Sequence, residues 1–397
     1  MAARMRAIRK PERAPGLVVE EIPVPEIQPG EVLVRVEAAS LCGTDLHIQQ
    51  WDAWAQQRVS PPLTLGHEFA GTVVAVGRDV RHAHEGDYVS AESHVTCGMC
   101  FHCRTGQAHM CEQTRILGVD RPGAFAEYVA VPETVLWQND RTKLPPEVAT
   151  LQEPFGNAVF ATSAQDLAGR TVAVLGCGPI GLFTIGIARA SGAATVYAAD
   201  QTPFRLQLAR TMGASMTLNV REVADVPAWF RSQNQGHGVD IVFEMSGAPR
   251  AITDAFKIVR NGGRVILFGI PSRPVEIDVA EALIFKNLNV LAVNGRKIFE
   301  TWYKTRWMLE SGVVDLRPLI THRCGLEDIH TALEQIQAGL ACKIVLFPHG
   351  DVPRAPGRTI ATVLEAGGPP VFPGAVSAPP ISAPTAPETG APKWSHR

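Results

Sequence analysis

Four cysteines stand at Cys97-x-x-Cys100-x-x-Cys103-x7-Cys111. Thiolates at this short, regular spacing let one loop wrap a tetrahedral Zn²⁺ with no open position, a site that stabilises structure and does no chemistry. An iron–sulfur site of the ferredoxin kind asks for a final gap of three and a following proline. Here the final gap is seven and no proline follows. Free thiols are the remaining alternative.

A second set of candidate ligands is dispersed: Cys42-Gly43-Thr44-Asp45-Leu46-His47, Gly66-His67-Glu68, and Glu153-Pro154. Each is unremarkable alone, since a histidine beside a strand is more often structural than a ligand. Together they offer a thiolate, an imidazole and carboxylates, the mixed set of a catalytic zinc that keeps one position open. A Lewis acid there would lower the pKa of a substrate hydroxyl and prepare its carbon to give up hydride. The released proton must reach solvent through groups that both accept and donate, and Thr44 and His47 suit such a relay. His82 and His84, in the charged stretch 81–87, read instead as a solvated turn.

The hydride needs an acceptor, and Gly176-Cys177-Gly178-Pro179-Ile180-Gly181 has the G-x-G-x-x-G spacing of a dinucleotide loop. Gly176 would permit the tight turn, Gly178 a close approach of backbone to pyrophosphate, and Gly181 close packing of helix on sheet. The helix that follows presents free N–H groups and a positive dipole end to the phosphates. Asp200 ends the next strand, where a carboxylate binds the ribose hydroxyls of NAD and repels a 2′-phosphate. The alternative for Asp200 is a helix cap, although Thr202-Pro203 already supplies a cap and first position. Arg205 is a second candidate at the adenosine end, and an arginine there can accept a 2′-phosphate.

Elements able to hold these groups are visible in the hydrophobic pattern. The first part is β-rich and punctuated by glycine, with strands at 31–36, 69–77, 86–89 and 126–129. From about residue 157 strands at 171–175, 195–199, 241–243, 264–268 and near 288–293 alternate with helices at 179–191 and from 203. Such alternation predicts a doubly wound parallel sheet, hence an α/β fold. A helix over roughly 298–311 and a strand at 343–347 complete the ordered chain.

The 37 basic and 39 acidic residues nearly cancel, so no charge field points to nucleic acid or an anionic membrane. No apolar run approaches the ~20 residues that span a bilayer, and the basic residues 1–10 lack the apolar core of a signal peptide. The expected address is the cytoplasm, where clustered cysteines favour metal over disulfides. Cys177, Cys324 and Cys342 are isolated and read as small apolar residues. Residues 351–397 carry ten of the 30 prolines without periodicity and read as a disordered tail.

The order Cys-Gly-Thr-Asp-x-His, Gly-His-Glu, four clustered cysteines, then a glycine loop with a strand-end Asp resembles the zinc-containing medium-chain dehydrogenases. Within them, stretches 51–54, 94–98, 154–159, 244–249, 299–304 and 320–323 are similar to the members that oxidise L-threonine. The likeness runs over about 5–347. It implies a GroES-like β-rich catalytic domain, residues 1–156 and 297–350, with a Rossmann-type domain, 157–296, inserted, and an active site between them. It implies two Zn²⁺ per subunit, one held by Cys42, His67 and Glu68 and one by Cys97, Cys100, Cys103 and Cys111. Thr44 and His47 become the proton relay, and Glu153 an acidic group that assists it or ligates zinc transiently. Ile180, Asp200, Arg205, Phe268, Gly269, Ile270, Val293 and Asn294 match positions that contact NAD. L-threonine is the implied substrate and a homotetramer the implied assembly. Two departures are Phe160, where some members carry histidine, and the tail beyond residue 350. The rivals are a polyol or butanediol substrate on the same scaffold, and a non-enzymatic relative, which would be expected to lack ligands or relay groups.

Overall fold

The computed structural model describes residues 3–353. The tail expected to be disordered lies, beyond Pro353, outside the described residues. The chain begins with β1 (Arg4–Lys10), β2 (Val18–Pro23), β3 (Glu31–Ser40), α1 (Gly43–Gln50), α2 (Ala53–Arg58) and β4 (Leu63–Thr64). Then come β5 (Phe69–Val76), β6 (Tyr88–Ala91), β7 (His94–Val95), α3 (Phe101–Arg104), β8 (Arg115–Ile116), β9 (Tyr128–Pro132) and β10 (Leu136–Gln138). Helices α4 (Pro146–Ala149) and α5 (Gln152–Ser163) lead into a regular alternation. Its members are β11 (Thr171–Leu175), α6 (Pro179–Ala190), β12 (Thr195–Asp200), α7 (Pro203–Thr211), β13 (Met216–Asn219), α8 (Val226–Gln233), β14 (Val239–Glu244), α9 (Pro249–Ile258), β15 (Val259–Leu267) and β16 (Asn289–Ala292). The chain closes with α10 (Glu300–Glu310), β17 (Ile320–Cys324), α11 (Ile329–Gln337) and β18 (Lys343–Leu346).

Strands β11 to β16 pair in parallel in the order β13-β12-β11-β14-β15-β16. β11, Thr-Val-Ala-Val-Leu, is buried at every position after the first, as a strand covered on both faces must be. The strand order turns outward in both directions from the β11/β14 pair, which opens a crevice beyond their carboxyl ends. The α/β class and the doubly wound sheet read from the sequence are both present. β15 starts at Val259, five residues earlier than its apolar run. Asn261-Gly262-Gly263 reads as a turn, but the pairing with β14 shifts register there and carries the strand through an irregularity.

The other large sheet is ordered β10-β6-β5-β3-β18-β17, with β9 also on β3. β3 alternates buried and half-buried residues, as a strand with one face on a core does. Its neighbour β18 comes from the far end of the chain, with Val345 opposite Ser40 and Leu346 opposite Ala39. Ile48, Leu65, Phe69, Phe125 and Leu346 are fully buried in one core here, and each such side chain contributes about 1.5–3 kcal/mol. Residue 157, where the sequence pattern changes, lies inside α5. Pro154 is the third residue of that helix, where a missing N–H leaves no hydrogen bond unmade. Phe155 of α5 meets Phe183 of α6 edge to face at 5.4 Å, which ties α5 to the parallel sheet. Among the described residues no helix is long and apolar enough to cross a membrane.

Candidate active site

Cys42 is the N-cap of α1, and its N–H donates to Asp45 Oδ2 at 2.9 Å. The backbone at the sulfur is thereby pinned. β3 runs into Cys42 while β5 starts directly after Glu68, and the pairing of Ala39 with Phe69 sets the two loops side by side. Gly66 has φ +93°, and a Cβ on it would lie 2.2 Å from the Phe125 ring. Only glycine lets the chain present His67 and Glu68 in this turn. One ligand atom from each of Cys42, His67 and Glu68 lies within 4.8 Å of the others.

The polar atoms of this pocket are incompletely satisfied. Buried Glu68 accepts from Ser40 Oγ and Lys343 Nζ through Oε2, while Oε1 has no partner. Lys343, itself buried, also donates to the Leu41 carbonyl at 2.7 Å. His67 Nδ1 and Asp45 Oδ1 are both unpartnered and stand 4.0 Å apart. Buried polar atoms are rarely left so, and a thiolate, an imidazole and a spare carboxylate oxygen converging on one point fit zinc. Burial alone would lower the His67 pKa, but Cys42, Asp45 and Glu153 outweigh it and raise it to about 10. Surroundings that hold a proton this tightly also favour a dication in its place. Thr44 Oγ1 lies 3.7 Å from Cys42 Sγ, and His47 follows Thr44 by three residues on the same face of α1.

Glu153, in the first turn of α5, belongs to a buried network that the sequence did not reveal. Arg296 is 2% exposed and lies 2.6 Å from Glu153 through Nη2. Its Nε donates to Glu92 Oε2 at 2.8 Å and its Nη2 to Glu92 Oε1 and Ser93 Oγ. Trp302 Nε1 donates to Glu92 at 2.9 Å, and His94 Nδ1 stands 2.9 Å from the same carboxylate. Glu92 and Arg296 are 204 residues apart and sit in no motif. One local signal exists: Gly156, inside α5, where a Cβ would come 2.8 Å from Arg296 Cδ. A helix-interior glycine marks such a close approach. Phe160, the departure noted above, packs edge to face on His109 at 5.5 Å.

Cys97, Cys100, Cys103 and Cys111 also bring their sulfurs within 4.8 Å of one another. The N–H groups of Cys97 and Gln113 donate to Cys111 Sγ, and those of Met99 and Cys100 to Cys97 Sγ. Burial opposes ionisation of Cys111, yet these donors bring its pKa down to about 6. Burial and the neighbouring sulfurs push Cys103 up to about 12. Four sulfurs this close cannot all be thiolates without a cation among them, so the set fits a closed tetrahedral zinc. Cys177 and Cys342 are buried and Cys324 half-buried.

The glycine loop joins β11 to α6. Gly176 has φ +95°, and a Cβ there would lie 2.7 Å from Ser246; one on Gly181 would lie 2.0 Å from the Gly176 carbonyl. A Cβ on Gly178 would meet nothing within 4 Å, so the N-cap of α6 faces open space. Asp200 accepts from Cys177 N–H through Oδ2 and from Thr202 N–H through Oδ1, both at 2.8 Å. The carboxylate thus steadies both the loop and the entry to α7, where Thr202 makes no side-chain cap bond. Each oxygen keeps acceptor capacity for a hydroxyl. Arg205 is half-buried on α7 and Ile180 packs from α6 onto the core. Phe268, Gly269 and Ile270 follow β15, with Ile270 89% exposed. Val293 is buried and Asn294 exposed after β16, and Asn294 Nδ2 lies 3.7 Å from Met110 Sδ of the four-cysteine lobe. These positions gather at the carboxyl ends of β11, β12, β15 and β16, where an open α/β sheet binds its ligand.

A fold of this kind with two zinc-type donor sets defines a class, and comparison with known proteins agrees. Residues 28–141 match the alcohol dehydrogenase GroES-like domain, and residues 179–311 match the zinc-binding dehydrogenase family. The chain belongs to the zinc-binding alcohol dehydrogenases of the medium-chain type. It is 49% identical over 349 residues to an L-threonine 3-dehydrogenase from Symbiobacterium thermophilum, across 88% of this chain and 99% of that one. Among solved structures, it resembles a Sinorhizobium meliloti 1021 protein crystallised with NADP: TM-score 0.80, 29% identity, 87% and 100% of the two chains. The 2R,3R-butanediol dehydrogenase of Bacillus subtilis is similar at TM-score 0.78 and 30% identity, over 87% and 99%.

Proposed function

We propose that this chain oxidises the β-hydroxyl of L-threonine with NAD⁺, giving L-2-amino-3-oxobutanoate, NADH and one proton. The observation that carries the reading is the 49% identity to an L-threonine 3-dehydrogenase along nearly its whole length. Zinc held by Cys42, His67 and Glu68 would supply a Lewis acid for the substrate hydroxyl, and a second ion would close the four-cysteine lobe. The chain's own residues do the rest. A nicotinamide bound there would supply the hydride acceptor, and Thr44 and His47 would carry the hydroxyl proton away. Glu153, whose charge acts on His67, would assist the relay. Gly176, Gly178 and Gly181 would hold the dinucleotide, and Asp200 its ribose. The two-part division at 157 and 296 belongs to the same reading. So does a homotetramer, whose assembly would cover exposed Ile284 and Phe285 ahead of the edge strand β16; a monomeric sedimentation mass would rule it out.

An amino acid differs from a polyol by a carboxylate and an ammonium group, and desolvating either without a partner is costly. Pairing both orients the β-hydroxyl and its C–H bond, so losing one costs transition-state stabilisation as well as affinity. L-threonine is therefore expected to exceed 2-butanol, 2,3-butanediol, sorbitol and threonine amide in kcat/KM with NAD⁺. A diol or polyol that beats L-threonine moves the protein to a neighbouring specificity. In the same assay NADP⁺ should be the poorer acceptor, and Asp200→Ser should narrow the gap. Equal wild-type efficiency with the two cofactors would remove the assignment of Asp200.

A further inference from the structure

The histidine read as the relay has a partner in the 51–54 stretch. α1 ends at Trp51, whose left-handed backbone (φ 57°) turns the chain, and Asp52 then caps α2. The two oxygens of Asp52 are used differently. Oδ1 accepts the Ala55 N–H at 2.9 Å, capping α2, while Oδ2 lies 2.6 Å from His47 Nδ1. The Trp54 ring stands edge-on to the imidazole at 6.4 Å. His47 is well exposed, its side chain at 59%, so nothing in the core holds its orientation.

We propose that Asp52 is the positioning residue of the proton relay: by accepting from Nδ1–H it fixes the imidazole in the one tautomer, and the one orientation, that can take up a proton. The inference rests on the reading of His47 as the relay. A carboxylate can only accept, so Nδ1 carries the proton and the lone pair is left on Nε2. When Nε2 accepts the proton shed by the substrate hydroxyl, the imidazolium is stabilised by the adjacent charge. The proton then passes from Nε2 to water, and Asp52 itself is never protonated. Burial, the largest single effect, pushes the Asp52 carboxyl up, but the Ala55 amide and His47 together outweigh it and hold it below its ordinary range.

The carboxylate's two roles can be separated. Asparagine is as good an N-cap as aspartate, and with its oxygen on Ala55 its NH₂ faces His47 Nδ1. That nitrogen must then accept, which moves the ring proton to Nε2 and removes the acceptor. In Asp52→Asn, the single-turnover rate of NADH formation from L-threonine should fall about tenfold or more, general acid–base groups being worth about 10²–10⁴. The melting temperature should not change, and small buffer bases such as imidazole should restore the rate in proportion to their concentration. His47→Gln is the companion, expected to be slower still and rescued in the same way. Asp52→Asn at wild-type rate beside a slow His47→Gln overturns the role of Asp52 and leaves the relay. Asp52→Asn that is slow but deaf to buffer base shows a merely structural residue and also overturns it. His47→Gln at wild-type rate overturns the relay on which both depend.

Discussion

Cys42→Ser should leave a folded protein that has lost one zinc per chain and nearly all of its turnover, about 10³-fold or more. The magnitude follows from the several kcal/mol that a Lewis acid supplies, at about 1.4 kcal/mol for each factor of ten. The fold should survive because Cys42 is held by its backbone: the N–H to Asp45 and the pairing of β3 with β5 do not involve the sulfur. Cys100→Ser should behave in the opposite way. It leaves three sulfurs packed within 4.8 Å with no complete tetrahedron to share their charge. That variant should lose the other zinc and melt earlier. Metal analysis and thermal melts of both variants decide the matter. Full zinc and stability in Cys100→Ser, with unfolding in Cys42→Ser, would exchange the two roles.

Arg296→Met should cost about 3–5 kcal/mol, the range for removing one partner of a buried charge pair. Methionine fills much of the volume, so the loss is electrostatic. Glu92 and Glu153 would face each other without the guanidinium that now bridges them. The sign of the pH dependence gives an independent check. Burial by itself raises the Glu92 pKa, but Arg296 and then His94 outweigh it and hold the carboxyl well below the ordinary range. A carboxyl depressed in the folded state contributes stability above its unfolded pKa of about 4.3. That contribution is lost only as pH falls toward the folded value. Without Arg296 burial dominates, the folded pKa rises, and the sign reverses. The variant should therefore melt higher at pH 5 than at pH 8, whereas this carboxyl gives the wild type no such preference. Equal melting temperatures of variant and wild type at neutral pH would show that the network is not a stabilising element.

The parts of this architecture legible in the sequence are those whose physics is local. β11 and the start of α6 fall where the apolar run and the glycine spacing place them, because a turn at Gly176 and a cap at Gly178 are decided within six residues. The four-cysteine lobe is legible for the same reason. The second donor set could be read as residue types, but its convergence depends on the β3–β5 pairing, which no spacing encodes. Strand β1 was hidden because Arg4–Lys10 is basic, although Met5, Ala7, Ile8 and Lys10 are buried. Asn261-Gly262-Gly263 imitates a turn inside β15, and Pro154 imitates a helix break inside α5. The Glu92–Arg296–Glu153 network left one local sign in the chain, Gly156 inside α5, and that glycine names none of the network's members. Each member is an ordinary charged residue until tertiary structure removes the water around it.

Lys343 gives this enzyme a schedule as well as a counter-ion. Cys42, His67 and Glu68 are made early in synthesis, but Glu68 meets its ammonium partner only when β18 arrives beside β3. Until then a carboxylate destined for the interior has no reason to leave water. The parallel sheet, whose strands all lie between the two, can close while the sheet around β3 is still missing β17 and β18. The parallel sheet can thus be finished before the pocket of Cys42, His67 and Glu68 gains its buried ammonium.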